Sequence, residues 1–168
     1  MQSEQAAPRA LDAESRVAER PHDHQDELRL WLRLLTCSQL IEREVRARLR
    51  ERFDTTLPRF DLMSQLWRYP DGLKMNELSR HLMVTGGNVT GIVDPLEQNG
   101  LVERTAEPAD RRAYRVRLTR AGRKAFGEMA RAHEEWIVEL LAGFSRREHA
   151  EIYKLLGRLK QVTLEARS

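Results

Sequence analysis

Apolar residues recur at helical spacing along most of this chain, and the interruptions mark where one helix gives way to the next. From about Asp26 to Phe53 the apolar positions are Leu28, Trp31, Leu32, Leu35, Ile41, Val45 and Leu49, which predicts a long amphipathic helix. Its run from Glu42 to Arg50 is then a solvated face. Pro58 suits the first turn of a second helix, with Thr55 or Thr56 as cap and a core face of Leu62, Met63, Leu66 and Trp67. Pro70-Asp71-Gly72 ends it. A short helix from about Met75 to Met83 buries Met75, Leu78 and Leu82, and Val84-Thr85-Gly86 supplies the turn. A fourth helix runs from its cap Thr85 to Gln98, stopped by Asn99-Gly100. Leu101–Arg104 and Ala113–Leu118 read as two strands around the turn Ala106–Asp110. Thr119 caps a fifth helix that breaks near Gly143, and Ser145-Arg146-Arg147-Glu148 is a capping box for a sixth bearing Ile152, Leu155, Leu156, Leu159 and Val162.

Residues 1–24 are polar, contain Pro8 and Pro21, and read as a disordered or loosely ordered tail; their His22-x-His24 pair reads as solvated rather than metal-binding. No apolar run approaches the roughly 20 residues that cross a bilayer, and no signal peptide is visible. The single cysteine, Cys37, fits a reducing compartment and is expected to be buried. These features point to a cytoplasmic protein without membrane association. His81, His133 and His149 are scattered, and no nucleophile–base pair or metal-ligand spacing recurs, so the reading is of a non-enzyme without cofactor or metal.

Charge sharpens the picture. The 29 basic and 26 acidic residues leave a net +3, but residues 1–27 carry −4 and residues 28–168 carry +7. Residues 101–124 hold eight basic and three acidic groups on the segment with strand character, which points to an anionic partner. Of the basic residues 25 are arginine, whose fork suits phosphate. Two short helices joined by a three-residue turn and followed by a basic hairpin form the layout of a winged helix-turn-helix. On a wheel of the fourth helix Val89, Ile92, Val93 and Leu96 turn inward. Gly87, Gly91, Asp94 and Gln98 lie opposite, and Asn88 and Thr90 flank them at the amino-terminal end. A recognition helix presents its first turns to base edges, where Asn and Thr find hydrogen-bonding partners.

The stretch from Phe60 to Phe126 resembles the MarR family of bacterial transcriptional regulators. The resemblance rests on Gly72-Leu73, Asn76-Glu77-Leu78-Ser79, Val84-Thr85-Gly86-Gly87-Asn88-Val89-Thr90-Gly91, Leu96-Glu97 and Gly100-Leu101-Val102-Glu103-Arg104, then on Asp110-Arg111-Arg112 and Leu118-Thr119-Arg120-Ala121-Gly122. It implies a mainly α fold with a small β-wing (α+β): a winged helix-turn-helix lobe at 56–119 and a helical dimerisation region at 25–55 and 120–168. It also implies a homodimer on double-stranded DNA, most simply a repressor on a pseudo-palindromic operator. An architectural DNA-binding protein without effector is the alternative. Carried onto this sequence, Asp110 braces the wing and Arg112 enters the minor groove beside Arg111. Arg80, Thr85, Gly87, Asn88, Thr90 and Arg104 complete the expected DNA contacts.

This chain has Pro95 where the family usually has a basic residue, and no Lys or Arg from Val84 to Gly100. A bend after Gly91 is expected, because proline lacks the N–H for that carbonyl. The family's effectors are small anionic aromatic compounds or their coenzyme A thioesters, which implies a crevice near Trp31, Arg46, Phe60, Trp67 and His133. At helical spacing the three aromatics read more readily as core. Cys37 lies too deep along its helix, without the surrounding aromatics, for the peroxide-sensing branch.

Overall fold

The computed structural model describes residues 25–107 and 110–166. The expected tail, with its His22-x-His24 pair, lies outside them. The element order is α1 (Gln25–Phe53), α2 (Leu57–Arg68), β1 (Leu73–Lys74), α3 (Met75–Leu82), α4 (Gly86–Gln98), β2 (Val102–Glu107), β3 (Asp110–Leu118), α5 (Arg120–Leu141) and α6 (Arg146–Glu165). The fold is therefore mainly helical with one small antiparallel sheet, ordered β1-β3-β2. Two compact units meet between Met129 and Ala130.

In the first unit, Leu49, Leu62, Met63, Leu66, Leu78, Val89, Val93 and Val116 are wholly buried, with Leu96 and Val102 nearly so. They come from α1 through β3, so one apolar core holds both short helices against the hairpin. Burying each such side chain contributes about 1.5–3 kcal/mol. The tight turn after α3 is closed by Ser79: its carbonyl accepts from the Val84 N–H (3.1 Å), and its hydroxyl donates to the Val84 carbonyl (2.5 Å). Met83, at this turn, takes left-handed φ 53° with its side chain 93% exposed.

The hairpin pairs Val102 with Leu118 through Ala106 with Tyr114, and the register shifts beyond Ala106. Both strands run further toward the tip than the sequence pattern predicts. The third strand, Leu73–Lys74 against Val116 and Arg115, carries no sequence signal at two residues. Gly72 makes that pairing possible. Its φ is +83°, and a Cβ there would sit 2.4 Å from the Val116 carbonyl oxygen. The Arg115 guanidinium donates to the Gly72 carbonyl at 2.9 Å.

Helix ends follow the capping rules in part. Leu101 N–H bonds back to the Leu96 carbonyl around left-handed Gly100, closing α4. Thr119 accepts from the Gly122 N–H at 3.0 Å and opens α5, where a Cβ on Gly122 would lie 1.8 Å from the Leu101 carbonyl oxygen. Thr56 and Thr85 occupy N-cap positions, but neither side chain makes a capping bond. α4 runs unbroken through Pro95.

Several burial expectations need correction: Trp67, placed on the core face of α2, is 45% exposed, and Met75 and Leu82 of α3 are only half-buried. Cys37 is exposed, not buried. Leu28, Trp31, Leu35 and Ile41 of α1 are also exposed, and along that helix only Val45 and Leu49 reach the core. The apolar stripe is present as predicted, but within a single chain its amino-terminal half is not covered.

The second unit contains the end of α5 and all of α6. Ser145 and Glu148 form the expected capping box: Glu148 N–H donates to the Ser145 hydroxyl, and Ser145 N–H donates to the Glu148 carboxylate at 2.7 Å. All of α6 is exposed, including Ile152, Leu155, Leu156, Leu159 and Val162.

Candidate nucleic-acid interface

α4 is amphipathic in an unusual way. Its inner face is apolar, with Val89, Val93 and Leu96 buried and Ile92 partly so. Its outer face is made largely of glycine: Gly86, Gly87 and Gly91 are exposed, and an added Cβ at any of them would meet nothing within 4 Å. No packing inside the protein therefore demands glycine at these three positions, although each weakens a helix by about 1 kcal/mol relative to alanine. Thr85, Asn88 and Thr90 are exposed beside them, and the Thr90 hydroxyl donates to the Gly86 carbonyl at 3.3 Å. That bond leaves the Thr90 oxygen free to accept.

Arginines surround this face in different states. Arg80, in the last turn of α3, is exposed and has no ion-pair partner among the described residues. Arg117 of β3 pairs across the hairpin with Glu103 at 2.6 Å. Asp110, Arg111 and Arg112 begin β3, but their side chains lie outside the described residues. Arg104 departs from the expected free cation. Its guanidinium donates to Glu97 at 2.6 Å and to Asp94, and its own N–H donates to Glu97 at 3.2 Å.

An open groove of about 870 Å³ lies between α4 and the hairpin, lined by Thr90, Asp94, Glu97, Arg104 and Tyr114 among others. Asp94, on the outward face of the helix, Glu97, in a family motif, and Tyr114 were not among the expected site residues. The available signal was an i, i+3 acid pair on a helix lacking any base, followed by arginine at the start of a strand.

The five residues expected near an effector are only partly gathered. Phe60 and Trp67 both lie against Phe126, with ring centroids 5.4 Å apart in each case. Phe60 is buried, whereas Trp67 is 45% exposed. Arg46 pairs with Glu42 one turn away. Trp31 lies 15 residues before Arg46 on the same helix, about 22 Å along its axis, so the two do not line one small pocket of a single chain. His133 belongs to the second unit. A separate cavity of about 150 Å³, lined by Phe53, Arg59, Met63 and Leu101 among others, includes none of the five. Among the described residues no cluster of three or more His, Cys, Asp or Glu could hold a metal ion, and no helix is long and apolar enough to cross a membrane.

The comparisons with known proteins agree with this geometry. A family model described as MarR family matches residues 55–114. The chain is 30% identical over 105 residues to the uncharacterised HTH-type transcriptional regulator YsmB of Bacillus subtilis, covering 62% of this chain and 71% of that protein. Four further relatives are matched over 54–63% of their own length. The crystal structure of a MarR family transcriptional regulator from Silicibacter pomeroyi superposes with TM-score 0.73 at 32% identity, covering 86% of this chain and 99% of that one. The Staphylococcus aureus MepR–DNA complex shares the fold, with TM-score 0.66 at 23% identity over 77% of this chain and 94% of that one.

Proposed function

Because the chain belongs to the MarR family of helix-turn-helix transcriptional regulators, we propose that it is a repressor that binds a pseudo-palindromic operator as a homodimer. The observation that carries this reading is the outer face of α4, where Gly87, Asn88 and Thr90 stand exposed on a helix whose opposite side is locked into the core. A backbone bared by glycine lets a duplex approach closely. Asn88 pairs with adenine, Thr85 and Thr90 reach bases or sugar-phosphate, and Arg80 neutralises phosphate. Asp110 stiffens the wing, and Arg111 and Arg112 enter the minor groove. The dimer is supported by the exposed apolar faces of α1 and α6, each too large for a chain that stays alone in water.

Release by a small aromatic acid or its coenzyme A thioester is the regulatory half of the proposal. The Trp67 ring, tilted against Phe126 yet open to solvent, offers an aromatic surface. Selection of duplexes from a random pool by the purified protein tests the reading directly. The expected product is an inverted repeat whose half-sites lie about one helical turn apart. Recovery of no enriched sequence overturns the reading. Thermal shift with a panel of aromatic carboxylates and thioesters, followed by gel shift with any stabilising compound, tests the release.

A further inference from the structure

Among the described residues of the expected DNA-contact set, Arg104 is the one whose charge is already paired inside the protein. Its side chain is 23% exposed and holds two carboxylates that are themselves more open, 46% for Asp94 and 37% for Glu97. One cation between two anions leaves the cluster net negative, so a phosphate arriving at Arg104 meets repulsion before it meets the guanidinium. The placement of the two acids is equally telling. Asp94 and Glu97 bracket Pro95, where α4 loses a rung of its hydrogen-bond ladder. Ahead of that rung the helix carries Gly86, Gly87 and Gly91, none of them supported by packing on the glycine side. A helix this weak needs an anchor outside itself, and the planar fork of an arginine, reaching both acids from β2, supplies one.

We propose that Arg104 is a positioning residue: it clamps the carboxyl-terminal half of α4 to strand β2 and so fixes the angle at which Gly87, Asn88 and Thr90 meet base edges, without itself touching DNA. This rests on the DNA-binding reading above. Losing the clamp spoils the fit to the right sequence, whereas losing a phosphate contact weakens binding to every sequence alike. The decisive quantity is the ratio of affinities for the selected and a scrambled duplex.

Full-length protein with Arg104→Ala, Arg104→Lys, Asp94→Asn with Glu97→Gln, and the triple change is titrated on both duplexes across a range of salt. The expected result is a ratio lowered roughly tenfold by Arg104→Ala and by the paired acid changes, with no further loss in the triple variant, as befits members of one ion-pair network. Arg104→Lys, able to hold one acid well, recovers part of the ratio. The salt slope of Arg104→Ala stays at the wild-type value. A slope shallower by about 0.9 on both duplexes with the ratio unchanged makes Arg104 a phosphate contact and overturns the clamp. An unchanged ratio in every variant overturns it as well.

Amide hydrogen exchange of the DNA-free protein gives an independent reading. Arg104→Ala and the paired acid changes should speed exchange across residues 86–98 while leaving residues 60–66 protected, and equal protection in all variants overturns the clamp. Should the wild-type protein select no duplex, the DNA-binding reading fails while exchange across 86–98 still decides whether the clamp exists.

Discussion

At the scale of single residues, two side chains make opposite demands on the helix-turn-helix. Met83 holds a left-handed backbone conformation that disfavours any side chain with a Cβ, and its own side chain is almost wholly in solvent. Met83→Gly is expected to raise stability by about 0.5–1 kcal/mol, the relief of strain less the greater freedom of glycine in the unfolded chain. Urea denaturation measures it, and an unchanged or lower midpoint means that the hydrogen bonds around Ser79 already offset the strain. Arg112 is the counterpart on the binding side. If Arg112 enters the minor groove as proposed, Arg112→Ala should weaken binding to the selected duplex while circular dichroism and dimerisation stay as they were. Full affinity with an intact fold removes Arg112 from the contacts.

At the scale of elements, α4 is the unusual one. Pro95→Arg restores a donor for the Gly91 carbonyl and removes a ring clash, a change on the order of 3 kcal/mol in a regular helix interior and less where the surroundings have relaxed. The new guanidinium, at the edge of the outward face, should tighten binding to any duplex and steepen the log–log salt slope by about 0.9. A slope unchanged on both selected and scrambled DNA shows that position 95 does not face phosphate. At α6 the relevant variable is pH. The Ser145 hydroxyl, then the Ser145 backbone N–H, hold the Glu148 carboxyl below its ordinary value of 4.5; they outweigh desolvation, which raises it, and His149 adds a lesser lowering pull. A carboxylate whose pKa falls on folding contributes stability above 4.5 that disappears as pH drops through its lowered folded value. Glu148→Gln should therefore flatten the acid limb of the stability curve below about pH 4.5 and leave the neutral region's slope unchanged, as urea titrations at stepped pH will read. Helix boundaries were legible in the sequence because glycine, proline and cap residues act locally, as at Gly100, Pro58 and Ser145. β1 was not, since two residues owe their strand pairing to Gly72 and to a partner more than 40 positions away. The grip of Arg104 on Asp94 and Glu97 crosses from helix to strand, so the i, i+3 acid pair before an arginine hints at it without fixing the geometry.

At the scale of the whole molecule, burial is uneven. The winged lobe has a closed core, whereas α6 and the first half of α1 leave their apolar stripes in water. The sequence pattern showed the stripes but not what they pack against, which is why Trp31 and Cys37 were read toward the interior and lie at the surface. On the proposed reading a second copy of the chain covers these faces, symmetric pairing of like faces being the common solution. The protein should sediment as a dimer below micromolar concentration. Deleting residues 145–168 should give monomeric or aggregated material that no longer binds an inverted repeat. A soluble truncation that retains operator affinity argues against α6 as part of the dimer.

The empty space beside Gly86, Gly87 and Gly91 has an evolutionary reading. Most surfaces that read a partner are hard to rewrite, because each new side chain collides with a neighbour and the fold suffers before the specificity changes. Here an added Cβ at each of the three positions meets nothing within 4 Å, and replacement of an interior glycine such as Gly91 adds helix propensity. If α4 reads DNA as proposed, its target could change by point mutation at these positions while the core and the hairpin stay as they are. A lineage of such regulators, or a designer's library built on this scaffold, has room to explore new sequences without first losing the fold.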